Sequence, residues 1–256
     1  MLPNLKIYRK SNIAATRSGF EDIWDDWWGF DDDWPNIGGG GNLSPVNVAP
    51  KAKKIFRNSN MTEENWKNIE RMLEKIMEEC MGEALYNGLS GYLNGNTLTI
   101  EFVPDWDSEF TVNGSHIKIG MKYAQSNVLF HEMFHAYQAY NETLSSFRGS
   151  TLNIEFEAHY AQYLYLKSLP EYKNSDWEKG YEEYEHLISV GKLEKYIDEK
   201  GKLRNGVTVD DLMKHIEDKM ITAFQGDSEY GIGYPYDSNR KGLSNFSNLN
   251  TITKGC

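Results

Sequence analysis

Apolar positions along the chain change period several times, and each change marks an element. Trp66, Ile69, Leu73, Ile76 or Met77, and Cys80 recur every three or four residues, which predicts a helix from about Thr62 to Gly82. Thr62 suits its N-cap, and Glu63 and Glu64 suit its first turn. The period then drops to two. Leu98, Ile100 and Phe102 alternate with polar residues and read as a strand. Alternation returns over 109–119, divided by Asn113-Gly114, the dipeptide that best fits a two-residue hairpin turn. Pairing across that turn sets Phe110 against Ile117 and Glu109 against Lys118. Phe110, Val112 and Ile117 then share a dry face, while Glu109, Thr111, His116 and Lys118 share a wet one, as at a sheet bordering a cleft.

Helical spacing resumes over Ser126 to Tyr140, in a stretch rich in aromatics. A loop over 141–150 separates it from a second helix, capped by Thr151 and running to Leu169 before Pro170 stops it. Trp177, Tyr181, Tyr184, Leu187 and Ile188 mark a further helix. Leu212, Ile216, Met220 and Phe224 mark another, with Thr208 as its cap. From Gly226 onward Gly, Asn, Ser and Tyr dominate, which predicts a loop-rich tail packed on the same body. The expected class is α+β: a small antiparallel sheet with a hairpin, packed against helices. The expected organisation is an irregular arm over 1–60, a domain over 61–225 and a tail over 226–256. No internal repeat is present.

Composition narrows the function classes. Lys and Arg number 27 against 38 Asp and Glu, a net charge of −11 that disfavours nucleic acid as the main partner. No apolar run approaches the ~18 residues of a membrane span. The first ten residues lack the apolar core of a secretory leader, so a cytoplasmic location is expected, although a trimmed secreted chain would read the same. Two cysteines, Cys80 and Cys256, are too few for a disulfide scaffold, and nothing in their placement favours pairing them. Between Glu21 and Trp34 stand seven acids and four tryptophans with no base. That segment reads as an arm packed on the body, as a docking segment or lid over a cleft, or as a carbohydrate contact. Gly38–Gly41 is not a phosphate loop, because no Lys-Ser/Thr follows it.

The chemistry concentrates in His131-Glu132-Met133-Phe134-His135. Residues four apart lie on one helix face, so His131 and His135 can bind one zinc ion through their rings. Glu132 stands beside the ion and is placed to take a proton from a water bound there. A third ligand is needed, and the next helix offers two. Glu155 shares a face with His159 and Gln162, a polar stripe that calls for a partner. Glu157, roughly 200° away around the helix, shares a face with Ala161 and Leu164. Both glutamates remain candidates on these grounds. His116, His186 and His215 show no metal-ligand spacing with one another.

These residues resemble the zinc metallopeptidases of the zincin group, specifically the gluzincins, over about 45 residues from the hairpin strand to the end of the second helix. The resemblance implies a third ligand twenty residues beyond the second histidine. That position is Glu155, at the head of Glu155-Phe156-Glu157-Ala158-His159, where the family commonly has an acid or amide in place of His159. His159 is accordingly a residue that could orient a ligand, contact substrate or bind the metal. The resemblance further implies a zincin-like fold, a peptide or protein substrate, and a sheet edge at Ser115–Ile119 along the cleft. It also implies a downstream Tyr or His that stabilises the transition state, for which Tyr230, Tyr234 and Tyr236 are candidates. The competing class is a non-catalytic binding protein on the same fold, with a structural metal closed by a fourth protein ligand such as His159.

Overall fold

The computed structural model describes residues 49–104, 108–111, 115–120, 124–142, 151–179, 184–227, 230 and 233–256. The tryptophan-rich segment, the Asn113-Gly114 turn and most of the 141–150 loop lie outside these residues. Residues 49–57, which the sequence groups with the arm, form α1 (Pro50–Ile55) and β1 (Phe56–Arg57). Ala52, Ile55 and Phe56 are buried in the core. Pro50 opens α1, where its missing N–H costs nothing, and Glu70 accepts from the amides of Lys51 and Ala52 at 3.1 and 2.7 Å.

The apolar run from Trp66 to Cys80 belongs to two helices rather than one. α2 spans Glu63–Met77, with the Thr62 hydroxyl accepting from the Asn65 amide, and α3 spans Cys80–Leu93. Glu79 is extended at the break. A side chain at Gly82 would stand 1.9 Å from the Ile76 carbonyl oxygen, so the close turn-back needs glycine there. The apolar spacing runs across this turn without marking it.

The sheet is mixed rather than antiparallel. β2 (Leu98–Val103) pairs in parallel with both β1 and β4 (His116–Gly120), while β3 (Glu109–Thr111) pairs antiparallel with β4, in the order β1-β2-β4-β3. The hairpin register is the one expected, with Phe110 opposite Ile117 and Glu109 opposite Lys118. The second strand of the hairpin, not the first, seats against β2. β4 is therefore bonded on both sides, so the sheet edge expected at Ser115–Ile119 is not there, and the short strand β3 ends the strand order instead. Its inward charge suits an edge: Glu109 accepts from Lys118 at 2.7 Å.

Two helices form the centre. α4 (Ser126–Asn141) is buried at every position from Leu129 to Ala139, and α5 (Leu152–Ser168) at every position from Leu152 to Tyr163. They pack on each other, and α3 and β3 also touch α4. Elements on all sides leave neither helix an exposed stripe. The helix expected around Trp177–Ile188 appears as α6 (Asp176–Lys179) and α7 (Glu185–Gly191), with 180–183 between them not described. α8 (Val209–His215) starts in a capping box in which Thr208 and Asp211 exchange bonds. It continues through a π turn at Ile216–Met220 into α9 (Ile221–Gly226). No helix among the described residues is long and apolar enough to cross a membrane.

The tail is more ordered than its composition suggests. A 3-10 turn over Gly242–Phe246 leads into α10 (Ser247–Ile252), and Asn245, Phe246, Asn248, Leu249 and Ile252 are buried. Two of its asparagines, Asn245 and Asn248, are not solvated loop residues but buried partners of the body. Asn245 accepts from Asn153 at 2.8 Å, and Asn248 accepts from Asn141 at 2.7 Å. Cys256 is disulfide-bonded to Cys80, with Cα atoms 5.7 Å apart, so the chain end is tied to the start of α3.

Candidate metal centre

α4 carries His131 and His135 on one face, and α5 presents Glu155 to both. The three residues offer donor atoms that all lie within 4.8 Å of one another, and all three are buried. His131 Nε2 and His135 Nε2 are 2.9 Å apart, while Glu155 Oε2 is 3.4 Å from His135 Nε2 and 3.8 Å from His131 Nε2. Donors held ~2.05 Å from a tetrahedral zinc ion would be separated by ~3.3 Å, which these separations bracket.

The protons of the two rings can be assigned from their neighbours. His135 Nδ1 faces Gln138 Oε1 at 2.9 Å, and His131 Nδ1 faces Gln162 Oε1 at 3.1 Å. Neither amide is free to turn over. Gln138 Nε2 donates to the Ile154 carbonyl at 3.1 Å and to Glu157 Oε2 at 3.0 Å. Gln162 Nε2 donates to the Asn127 carbonyl at 3.2 Å. Each Nδ1 must therefore carry the hydrogen, and each Nε2 turns a lone pair toward the other ring and toward Glu155. Three acceptors converging in a buried space need a positive charge between them. A metal ion meets that need, and so does a proton on His135. Burial pulls the His135 pKa down, but the Glu155 carboxylate, the charge of Glu132 and the bond to Gln138 outweigh it and hold the value above the ordinary one.

Glu132 is buried beside the first histidine and near enough to His135 to influence its charge. His159 lies at the margin: its Nε2 is 3.9 Å from Glu155 Oε2 but 2.7 Å from the hydroxyl of Tyr230, and it is not a member of the three-residue donor set. Tyr230, one of three candidate tyrosines in the tail, is thus brought to the site, buried against His159. Tyr236 bonds the Arg240 carbonyl instead. The remaining histidines have other partners: His116 stands by Glu101 at 3.4 Å, His186 by Asp227 at 3.0 Å, and His215 by the Ser189 carbonyl at 2.9 Å.

Glu157, the alternative third ligand, is outside the donor set and sits in a network that meets the site through Gln138. Its Oε1 accepts from the amides of Asn248 and Leu249 at 2.6 and 2.8 Å, and its Oε2 from Gln138 Nε2 and Asn248 Nδ2 at 3.0 and 2.8 Å. Burial pushes its pKa up against the pull of those donors. Gln138 is the participant that sequence reasoning missed. Its only signal was the i,i+3 spacing from His135. Gln162 was visible as part of the Glu155 stripe. No protein-family model, curated protein or solved structure matches the chain.

Proposed function

We propose that the protein is a zinc-dependent peptidase of zincin-like, gluzincin type, with His131, His135 and Glu155 holding the ion. The observation that carries this reading is the convergence of three acceptor atoms from α4 and α5, with both ring Nδ1 atoms held by amide oxygens. A His₂Glu set leaves a position open for water or substrate, which is the pattern of catalytic rather than structural zinc. When bound, the ion would supply a Lewis acid that activates water and polarises the scissile carbonyl. Glu132 accepts the proton of the attacking water on its carboxylate and passes it to the leaving amine. Gln138 and Gln162 keep the ring nitrogens in the ligating form. β3, last in the strand order and next to α4, is the strand whose main-chain groups an extended peptide would meet. His159, bonded to Tyr230, stands outside the donor set, and this favours the peptidase over the binding protein with a closed structural site.

Glu132→Gln separates chemistry from metal binding. The amide keeps the shape but cannot take a proton, so cleavage of an unfolded protein or of the best hit in a peptide library should fall ~10²–10⁴-fold. Zinc content and melting temperature should stay at wild-type values. Equal cleavage by both proteins would assign the activity to another base or to a contaminant, and the peptidase reading would fall.

A further inference from the structure

Resting on the metal-site reading, we infer that Glu157 is a positioning residue for His135, acting through Gln138, and that the C-terminal helix α10 holds Glu157 for this task. A neutral imidazole can carry its hydrogen on either nitrogen, and only the Nδ1–H form leaves Nε2 free to ligate. The choice is made by Gln138, whose oxygen faces Nδ1 at 2.9 Å. An isolated glutamine could turn its amide over and offer N–H instead. Here the nitrogen is committed to the Ile154 carbonyl and to Glu157 Oε2, neither of which has a hydrogen to give back. Glu157 is fixed in turn. Three of its four donors come from α10: the Asn248 amide, the Leu249 amide and Asn248 Nδ2. Asn248 is oriented by Asn141, one turn past Gln138 on α4. The path from the chain's last helix to the ligating nitrogen thus runs through Asn248, Glu157, Gln138 and His135, and every atom on it is buried or nearly so.

Replacing Glu157 with its amide breaks the logic while keeping the volume. A glutamine there can donate to Gln138, which removes one of the two acceptors holding the Gln138 nitrogen and leaves only the Ile154 carbonyl against a turn of the amide that would present N–H to His135 Nδ1. The ring then moves its hydrogen to Nε2, the nitrogen that should ligate.

The experiment reads the His135 tautomer directly, from ring nitrogen shifts in chelator-treated full-length protein at alkaline pH, and separately measures zinc or cobalt affinity. Wild type should show the Nδ1–H form. Glu157→Gln should shift the ring toward Nε2–H and weaken metal binding about 10-fold or more, the range expected for outer-shell partners. The exchanged pair Gln138→Glu with Glu157→Gln should restore the Nδ1–H form, because a carboxylate at 138 can only accept, and should recover most of the affinity. Gln138→Met provides a second route should Glu157→Gln not fold: it leaves three donors on Glu157 but removes the acceptor, so the tautomer preference should vanish. A folded Glu157→Gln protein, or failing that a folded Gln138→Met protein, with an unchanged tautomer would overturn the inference. Failure of wild type to bind either metal, with the tautomer shifts as described, would remove the metal reading and leave the positioning role standing.

Discussion

Glu155 and Glu157 lie two residues apart on α5, are equally buried, and have opposite surroundings. Glu157 receives hydrogens from four donors, two backbone amides and two side-chain amides. Glu155 faces the Nε2 atoms of three imidazoles at 3.4 to 3.9 Å, and two of those nitrogens are turned into acceptors by the glutamines behind them. A carboxylate surrounded by committed donors is complete within the fold. A carboxylate surrounded by acceptors is complete only when a cation joins it. The contrast favours Glu155 over Glu157 as the third ligand of the proposed site without reference to any relative, and it suits Glu157 to holding the fold around that site.

The largest separation between the two should appear in stability. Glu157→Ala takes the shared acceptor from four buried donors and leaves the amides of Asn248 and Leu249 without it, at a cost of about 3 kcal/mol or more, whether zinc is present or chelated. Chemical denaturation in chelator checks this, and Glu155→Ala should cost clearly less under the same conditions. Equal losses would erase the distinction between a structural and a ligating carboxylate. Metal affinity should separate them in the other sense: Glu155→Ala removes a first ligand, so zinc binding should weaken about 10-fold or more while the fold persists. Competitive titration against a chromogenic chelator measures it, and an unchanged affinity would strike Glu155 from the ligand set.

The smallest effect is in pH. With the folded pKa of His135 held above its ordinary 6.5, its contribution to metal-free stability is complete below that value. It is lost as pH rises through the raised value. Bound zinc replaces the proton, so the loss should disappear. Melting curves across that window, with chelator and with zinc, test the sign. A chelated protein equally stable on both sides of it would contradict the charge placed between the rings.

Much of this could be read from local sequence. The hairpin register followed from Asn113-Gly114 and the alternation around it, and the His131–His135 pair followed from helical spacing. The choice between Glu155 and Glu157 did not, because α5 is buried on every side and its burial carries no phase. The parallel pairing of β4 with β2 depends on which hairpin strand docks, a property of neighbours and not of the strand. The tail was expected as loop because asparagine favours turns, yet Asn248 meets Glu157 across 91 residues. The Cys80–Cys256 link spans 176. The break between α2 and α3 rests on one glycine inside an otherwise continuous apolar run.

The central claim is tested most directly by X-ray absorption at the zinc edge on purified, zinc-loaded protein, combined with anomalous diffraction to locate the ion. One ion per chain is expected, with two imidazole nitrogens at ~2.0–2.1 Å, one carboxylate oxygen from Glu155 at ~2.0–2.2 Å and a remaining ligand that is not protein. An ion placed elsewhere, a shell closed by His159, or a site that takes up no zinc would contradict it.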